Sequence, residues 1–160
     1  MISLRPQDAA DLPLLGGGES PFDEFGPETP RAESRRAELE EQGGLTVLDG
    51  HGQVAGTVSW VWQQWGPNRA SRCPMIGIWM RPEFRGRGLG TAAQKALVEL
   101  FFRHTTANRV EAHTDVGNVA EQRALEASGF RREGVTRGAQ WRDGAYHDGV
   151  LYAVLRDDSR

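Results

Sequence analysis

The stretch Arg85-Gly86-Arg87-Gly88-Leu89-Gly90 constrains this chain more than any other. It follows an apolar run, Met75 to Met80, that reads as a strand. It precedes Thr91 to about Arg103, rich in Ala, Leu and Phe, that reads as a helix. Glycine permits positive φ and lets the backbone approach a ligand closely. A strand, a glycine turn and a helix in that order point successive N–H groups into one concavity. The helix adds the positive end of its dipole, and Arg85 and Arg87 add formal charge. Such a site suits a pyrophosphate. Two common phosphate loops fail here. The dinucleotide pattern G-x-G-x-x-G needs glycine where Thr91 stands, and a P-loop needs a Gly-Lys-Ser/Thr close that this stretch lacks. The pattern present is Arg-x-x-Gly-x-Gly, on Arg85, Gly88 and Gly90, after Ile78-x-Met80-x-Pro82.

The remaining elements set this turn in a mixed α/β domain. Ile2-Ser3-Leu4 alternates as a strand, and Asp8 to Leu15 forms a short amphipathic turn or two before Gly16-Gly17-Gly18. Residues 19–28 form an aromatic and acidic loop. Thr29-Pro30 reads as a helix N-cap and first turn, predicting a charged, water-facing helix to about Gln42 that stops at Gly43-Gly44. Leu45 to Leu48 and Gln53 to Gln63 are strands joined by Asp49-Gly50-His51-Gly52. On the second, Val54, Val58, Trp60 and Trp62 share a face opposite Thr57, Ser59 and Gln63. Tryptophans so placed belong to a core, and a substrate wall at Trp62 is the second reading. Arg109 to Thr114 is a strand, and Asn118 to Ser128 a helix closed by Gly129. Strands at about 131–141 and 147–155 flank the turn Asp143-Gly144, and Val150 to Leu155 is apolar on both faces, as a central strand would be.

Composition removes several function classes. With 160 residues, one domain over 1–160 is the expectation. Nineteen Lys+Arg against 22 Asp+Glu give a formal charge of −3, which disfavours a nucleic-acid or anionic-membrane binder. Lys95 is the only lysine, which we read as coding bias. No run reaches the ~20 apolar residues that span a bilayer, and no secretory apolar segment opens the chain, so a cytoplasmic protein is expected. The single cysteine, Cys73, excludes an internal disulfide and lies in a loop-like run with no nucleophile constellation. The histidines, at 51, 104, 113 and 147, have no metal-ligand spacing.

On the glycine turn, and on Asn118 followed by a helix ending in Gly129-Phe130, the chain resembles the GNAT acetyltransferase superfamily. The tail, with Trp141-Arg142-Asp143-Gly144, His147-Asp148 and Leu151-Tyr152, is similar to the branch that acetylates ribosomal-protein N-termini, which also holds small-amine and antibiotic acetyltransferases. The resemblance covers about residues 2–156. It implies a GNAT-like α/β domain, a central splayed mixed sheet with helices on both faces. It implies direct acetyl transfer from acetyl-CoA, or another short acyl-CoA, to a primary amine on a peptide N-terminus or small metabolite. The protein would be a monomer or homodimer. Strands at about 75–80 and 109–114 would splay to admit the pantetheine arm. Ile78 and Met80 would pair with it, an amide near Met80 would polarise the thioester carbonyl, and Arg85, Gly86, Arg87, Gly88, Leu89, Gly90 and Thr91 would hold the pyrophosphate. Asn118 would contact pantetheine or order the attacking group. With Glu121 three residues on, it also reads as a capping box, and the two roles can coexist.

The resemblance breaks at the proton-handling positions. Leu125, Glu121 and Met75 stand where relatives place a tyrosine, a serine and a glutamate, so no general acid or base carries over, and proximity is left as the main source of rate. His113 is a general base by type, although an exposed strand-end histidine is the commoner case. The acceptor is expected where the early loops meet the last hairpin, at Phe22, Asp23, Glu24, Trp141, Tyr146 and Asp148. Rings and carboxylates together suit a cationic amine; solvated loop acids are the plain alternative. A resistance or biosynthetic acyltransferase on one metabolite, and a non-catalytic acyl-CoA-binding module, are the competing functions.

Overall fold

The computed structural model describes residues 1–16, 20–23, 25–26 and 31–159. Strands β1 (Ser3–Pro6), β2 (Gly43–Leu48), β3 (Val54–Gln64), β4 (Arg72–Met80), β5 (Arg109–Asp115), β6 (Arg131–Arg142) and β7 (Ala145–Leu155) form one sheet in the order β1-β2-β3-β4-β5-β7-β6. Every neighbouring pair is antiparallel except β4–β5. That parallel pair needs a crossover, which helix α1 (Leu89–His104) supplies; α2 (Val119–Ala127) links β5 to β6.

Turn chemistry sets the two long hairpins. The Asp49 carboxylate accepts from the N–H groups of His51 and Gln53, both at 2.9 Å, and Gly52 sits at φ +78°. Asp143 (φ +49°) and Gly144 (φ +73°) both occupy the left-handed region that a two-residue primed turn requires.

The two faces of the sheet carry different layers. Val58, Trp60, Ile76, Val110, Ala112, Val150, Tyr152 and Val154 pack with Ala93, Leu97 and Phe101 of α1 and Leu125 of α2 in the main core. Phe101 meets Trp60 and Trp62 edge-on, at 5.4 and 6.0 Å between ring centres. The opposite face of β3 and β4, with Thr57, Ser59, Gly77 and Trp79, is covered by a 3₁₀ helix, Ala9–Leu14. Asp11 pins that helix. Its buried carboxylate takes two bonds from Arg5 (2.6 and 2.7 Å), one from Thr46 Oγ1 (2.7 Å) and one from the Asp8 N–H (2.9 Å). The Arg5 guanidinium holds it down at about 2.

One expected element is not formed. Residues 31–42 run as bends and turns instead of a helix, and Gly43-Gly44 open β2; Thr29-Pro30 lie outside the described residues. The segment's carbonyls serve the sheet instead. Glu41 O accepts from Trp60 Nε1 (2.6 Å), Leu39 O from Trp62 Nε1 (3.0 Å) and Arg36 O from Gly44 N (2.9 Å). A buried indole N–H needs such a partner, and the irregular path of the segment brings these carbonyls to the sheet. Gly43 is required by this wrap: a Cβ there would fall 2.4 Å from Arg36 O and 2.5 Å from the Trp60 ring. Cys73, expected in a loop, is a buried residue of β4, its thiol pushed up to about 11 by burial and by Glu111 beside it.

Candidate active site

The parallel pair β4–β5 comes apart. Its ladder holds only at Met75↔Glu111 and Ile76↔Ala112. Beyond these rungs, Gly77 to Met80 remain paired with β3, and His113 to Asp115 with β7. The two strands therefore diverge into a wedge whose β4 side has lost one row of partners.

The glycine turn stands over this wedge. Gly86 (φ +69°) and Gly88 (φ +73°) are left-handed, and a Cβ on either would enter open space. Gly88 is the N-cap of α1, which has no side-chain cap, and the first amide bonded back along the helix is Ala92 N, to Gly88 O. The N–H groups of the first turn are thus free to meet an anion. Arg85 and Arg87 are exposed beside them; Arg85 Nε also donates to Met80 O at 2.8 Å, tying the turn to the end of β4. A Cβ on Gly90 would meet Ile78 Cδ1 at 3.4 Å and Met80 Cγ at 3.6 Å, so Gly90 brings the helix start onto the wedge. The structure brings together Ile78, Met80 and the whole run from Arg85 to Thr91.

Asn118 sits across the wedge as the N-cap of α2. Its Oδ1 accepts from Glu121 N (3.3 Å), and its Nδ2 donates to Thr114 Oγ1 (3.2 Å). The capping box is only half made, because the Glu121 carboxylate accepts from Gln94 Nε2 on α1 instead of turning back. Burial pushes Glu121 up to about 7. The sequence marked Glu121 as a departure from a pattern, but only the α1–α2 contact reveals its altered acidity. Leu125 is wholly buried in the core.

His113 is half-buried rather than exposed. Its ring lies against Gly149 of β7, where a Cβ would fall 2.1 Å from Cε1 and Nε2, and Nε2 is 2.6 Å from Thr136 Oγ1. Burial lowers its pKa, which leaves the imidazole neutral at pH 7. The ring thus leans toward β7, away from the wedge.

On the face opposite α1, a cavity of about 970 Å³ reaches the wedge at Gly77, Ile78 and Trp79. Its described lining also includes the 3₁₀ helix, Leu15, Gly16, Asp23, Phe25, Arg31, Arg35, Thr57 and Ser59. Of the residues expected to meet an acceptor, Asp23 lines it, and Glu24 lies outside the described residues. Phe22 anchors its loop, with the Arg142 guanidinium 5.4 Å over its ring and Arg142 itself paired with buried Asp115. Trp62 packs on Phe101 and under Arg72, on the α1 side, so it walls the core and not this cavity. Trp141 and Tyr146 stack edge-on at 5.0 Å on the exposed hairpin, and Asp148 accepts from Gly138 N at 2.7 Å. None of these three lines the cavity. Arg31 and Arg35 were not anticipated: they lie in the segment read as a solvated helix, where no spacing distinguishes them.

Among the described residues, no group of His, Cys, Asp and Glu could hold a metal ion, and no helix is long and apolar enough to cross a membrane.

The model of the acetyltransferase (GNAT) domain matches residues 2–131, and this chain belongs to that family. It is 35% identical over 89 residues to the Bacillus subtilis protein named "Putative ribosomal N-acetyltransferase YdaF", an alignment covering 56% of this chain and 49% of that one. The chain thus spans about half the length of the curated relatives it matches. A solved structure named "Probable acetyltransferase" is 30% identical, with a TM-score of 0.65 over 74% of this chain and 64% of its own. Spermidine N-acetyltransferase from Vibrio cholerae, solved with CoA and spermine, shares the fold at 20% identity, with a TM-score of 0.77 over 98% of this chain and 96% of its own.

Proposed function

We propose that this chain is an N-acetyltransferase that moves an acetyl group from acetyl-CoA directly to a primary amine, with 1–160 acting as one catalytic domain. The observation that carries this reading is the wedge: β4 loses β5 beyond Ile76 directly beneath an uncapped helix start. The residues fit the cofactor. Gly86 and Gly88 leave room for a pyrophosphate, the amides of Leu89 to Thr91 and the positive dipole end face it, and Arg85 and Arg87 add charge. The released edge of β4 from Gly77 to Met80 offers backbone groups to an extended pantetheine arm, and an N–H there would polarise a carbonyl. Bound acetyl-CoA supplies the thioester: the amine forms the new C–N bond as the C–S bond breaks, and the amine proton passes to solvent.

The protein's part is chiefly to hold two reactants on opposite faces of one opening. Asn118 fixes the far side of that opening through Thr114. Glu121 is the buried carboxyl nearest to Asn118 in sequence with its acidity shifted to neutral pH, and it is our candidate for reprotonating the leaving thiolate. The test is thiol release from acetyl-CoA over a panel of small amines and N-terminal peptides, with mass spectrometry of the acceptor. Release and a matching acetylated product are expected. Tight acetyl-CoA binding with no release for any primary amine would overturn the catalytic reading in favour of an acyl-CoA-binding module.

A further inference from the structure

The described lining of the cavity on the acceptor face carries more positive than negative charge. Its described charged lining groups are Asp23, Arg31 and Arg35, two cations to one anion. Arg35 is half-buried. Its stem crosses the β2–β3 ribbon so closely that a Cβ on Gly44 would fall 2.7 Å from Arg35 Cδ. Its backbone N–H donates to Gln7 Oε1 at 2.8 Å, and Gln7 Nε2 donates to Thr57 Oγ1 at 2.9 Å, so the segment is fixed to the cavity wall. Among the described residues neither Arg31 nor Arg35 makes an ion pair. Burial and the neighbouring Arg31 charge pull Arg35 down to about 10.

Resting on the N-acetyltransferase reading, we infer that the acceptor is an amine that also carries an anionic group, a carboxylate or phosphate, and that Arg31 and Arg35 hold that group. Two guanidinia present forked donors that match either oxyanion, and the partial burial of Arg35 strengthens its contact. Thr57 and Ser59 add hydroxyls, and Phe25 and Trp79 add apolar and aromatic wall for the body of the acceptor. Gly77 to Trp79 bring the amine end to the wedge. This reading departs from the cationic amine that the loop acids suit, because a second ammonium would face two guanidinia that make no ion pair among the described residues.

Three pairs of probes that differ in one anionic group test this: phenylalanine and phenylalaninamide, 4-aminobutyrate and 4-aminobutanamide, phosphoethanolamine and ethanolamine. Each is titrated calorimetrically into the protein saturated with CoA. At least one anionic member should bind about ten-fold or more tightly than its neutral partner. Arg31→Gln and Arg35→Gln should each remove most of that preference, and Arg35→Lys should retain part of it. The affinity for CoA should stay at the wild-type value in all three variants. Arg31 is exposed, so its variant reads the site even where Arg35→Gln disturbs the fold. Equal or tighter binding of the neutral member in every pair, no binding of any anionic member, an unchanged preference in both glutamine variants, or a fall in CoA affinity instead would each overturn the inference. Failure of the wild-type protein to bind CoA would overturn the acetyltransferase reading with it; CoA binding without charge preference overturns the anionic acceptor alone.

Discussion

The two ends of the β4–β5 pair are built on opposite terms. Where the strands begin, an ion-pair chain surrounds a buried carboxylate, one oxygen of which, Glu111 Oε2, has no partner among the described residues. Glu111, fully buried, accepts from Arg109 Nε at 2.7 Å and Trp65 Nε1 at 2.6 Å, and Arg109 reaches on to Glu133 of β6. Where the strands end, the ladder stops and a helix begins without a side-chain cap. A parallel pair with two rungs is weak on its own, so an ion-pair clamp at one end permits an opening at the other. The same contrast runs through the glycines. Gly43 is demanded by protein packed against it, while a Cβ on Gly86 or Gly88 would enter open space.

Substitutions at each end should break or sharpen this contrast. The largest effect is expected at the open end. Gly88→Val puts a branched side chain into the space above the helix start and should weaken acetyl-CoA binding by about 100-fold, near 2.7 kcal/mol, as read by calorimetry. The left-handed φ adds a stability cost of about 1–2 kcal/mol, so the variant's circular dichroism and melting curve accompany the titration. Gly90→Ala is the internal control: its Cβ meets Ile78 and Met80 at ordinary contact distance, and it should keep most of the affinity. Equal affinity in Gly88→Val and wild type would remove the turn from the cofactor site.

At the clamped end the expected loss is one of stability. Arg109→Ala strips Glu111 of its cationic partner inside the protein and should cost about 3 kcal/mol in urea unfolding. Adding Glu111→Gln should return part of that loss, and an additive double mutant would show that the pair is no clamp.

A smaller, pH-dependent effect is expected beside the wedge. The Glu121 carboxyl titrates at about 7 in the folded protein against 4.5 for the ordinary group, so the native state binds the extra proton between these values. Its contribution to stability is therefore favourable at pH 4.5 and is lost as pH rises through 7, by an amount on the order of 3 kcal/mol. Glu121→Gln should melt above the wild type at pH 8.5 and lose that advantage near pH 4.5. Parallel melting curves across this range would mean that burial does not govern the carboxyl. If Glu121 also reprotonates the thiolate, the same variant lowers kcat while leaving the KM for acetyl-CoA near its wild-type value.

Local chemistry determined much of this protein before any fold was considered. The glycine turn, the Asn118 cap, the Asp143-Gly144 hairpin and the alternation of β3 depend on neighbours within a few residues, and the described strands and both α-helices lie within a few residues of their expected bounds. Most of the departures concern groups whose partners are far along the chain. Residues 31–42 compose a respectable charged helix, yet their carbonyls are claimed by tryptophans about 20 residues away on β3. Trp62, His113 and Asp148 bear suitable chemistry but spend it on Phe101, Thr136 and Gly138. The acidity of Glu121 comes from burial against α1, and Arg31 and Arg35, in a segment read as a solvated helix, line the cavity beside the 3₁₀ helix. Hydrogen-bond spacing and backbone freedom are short-range properties, and a sequence displays them directly. Which buried group meets which partner, and hence its charge and pKa, follows from contacts that only the assembled sheet brings together.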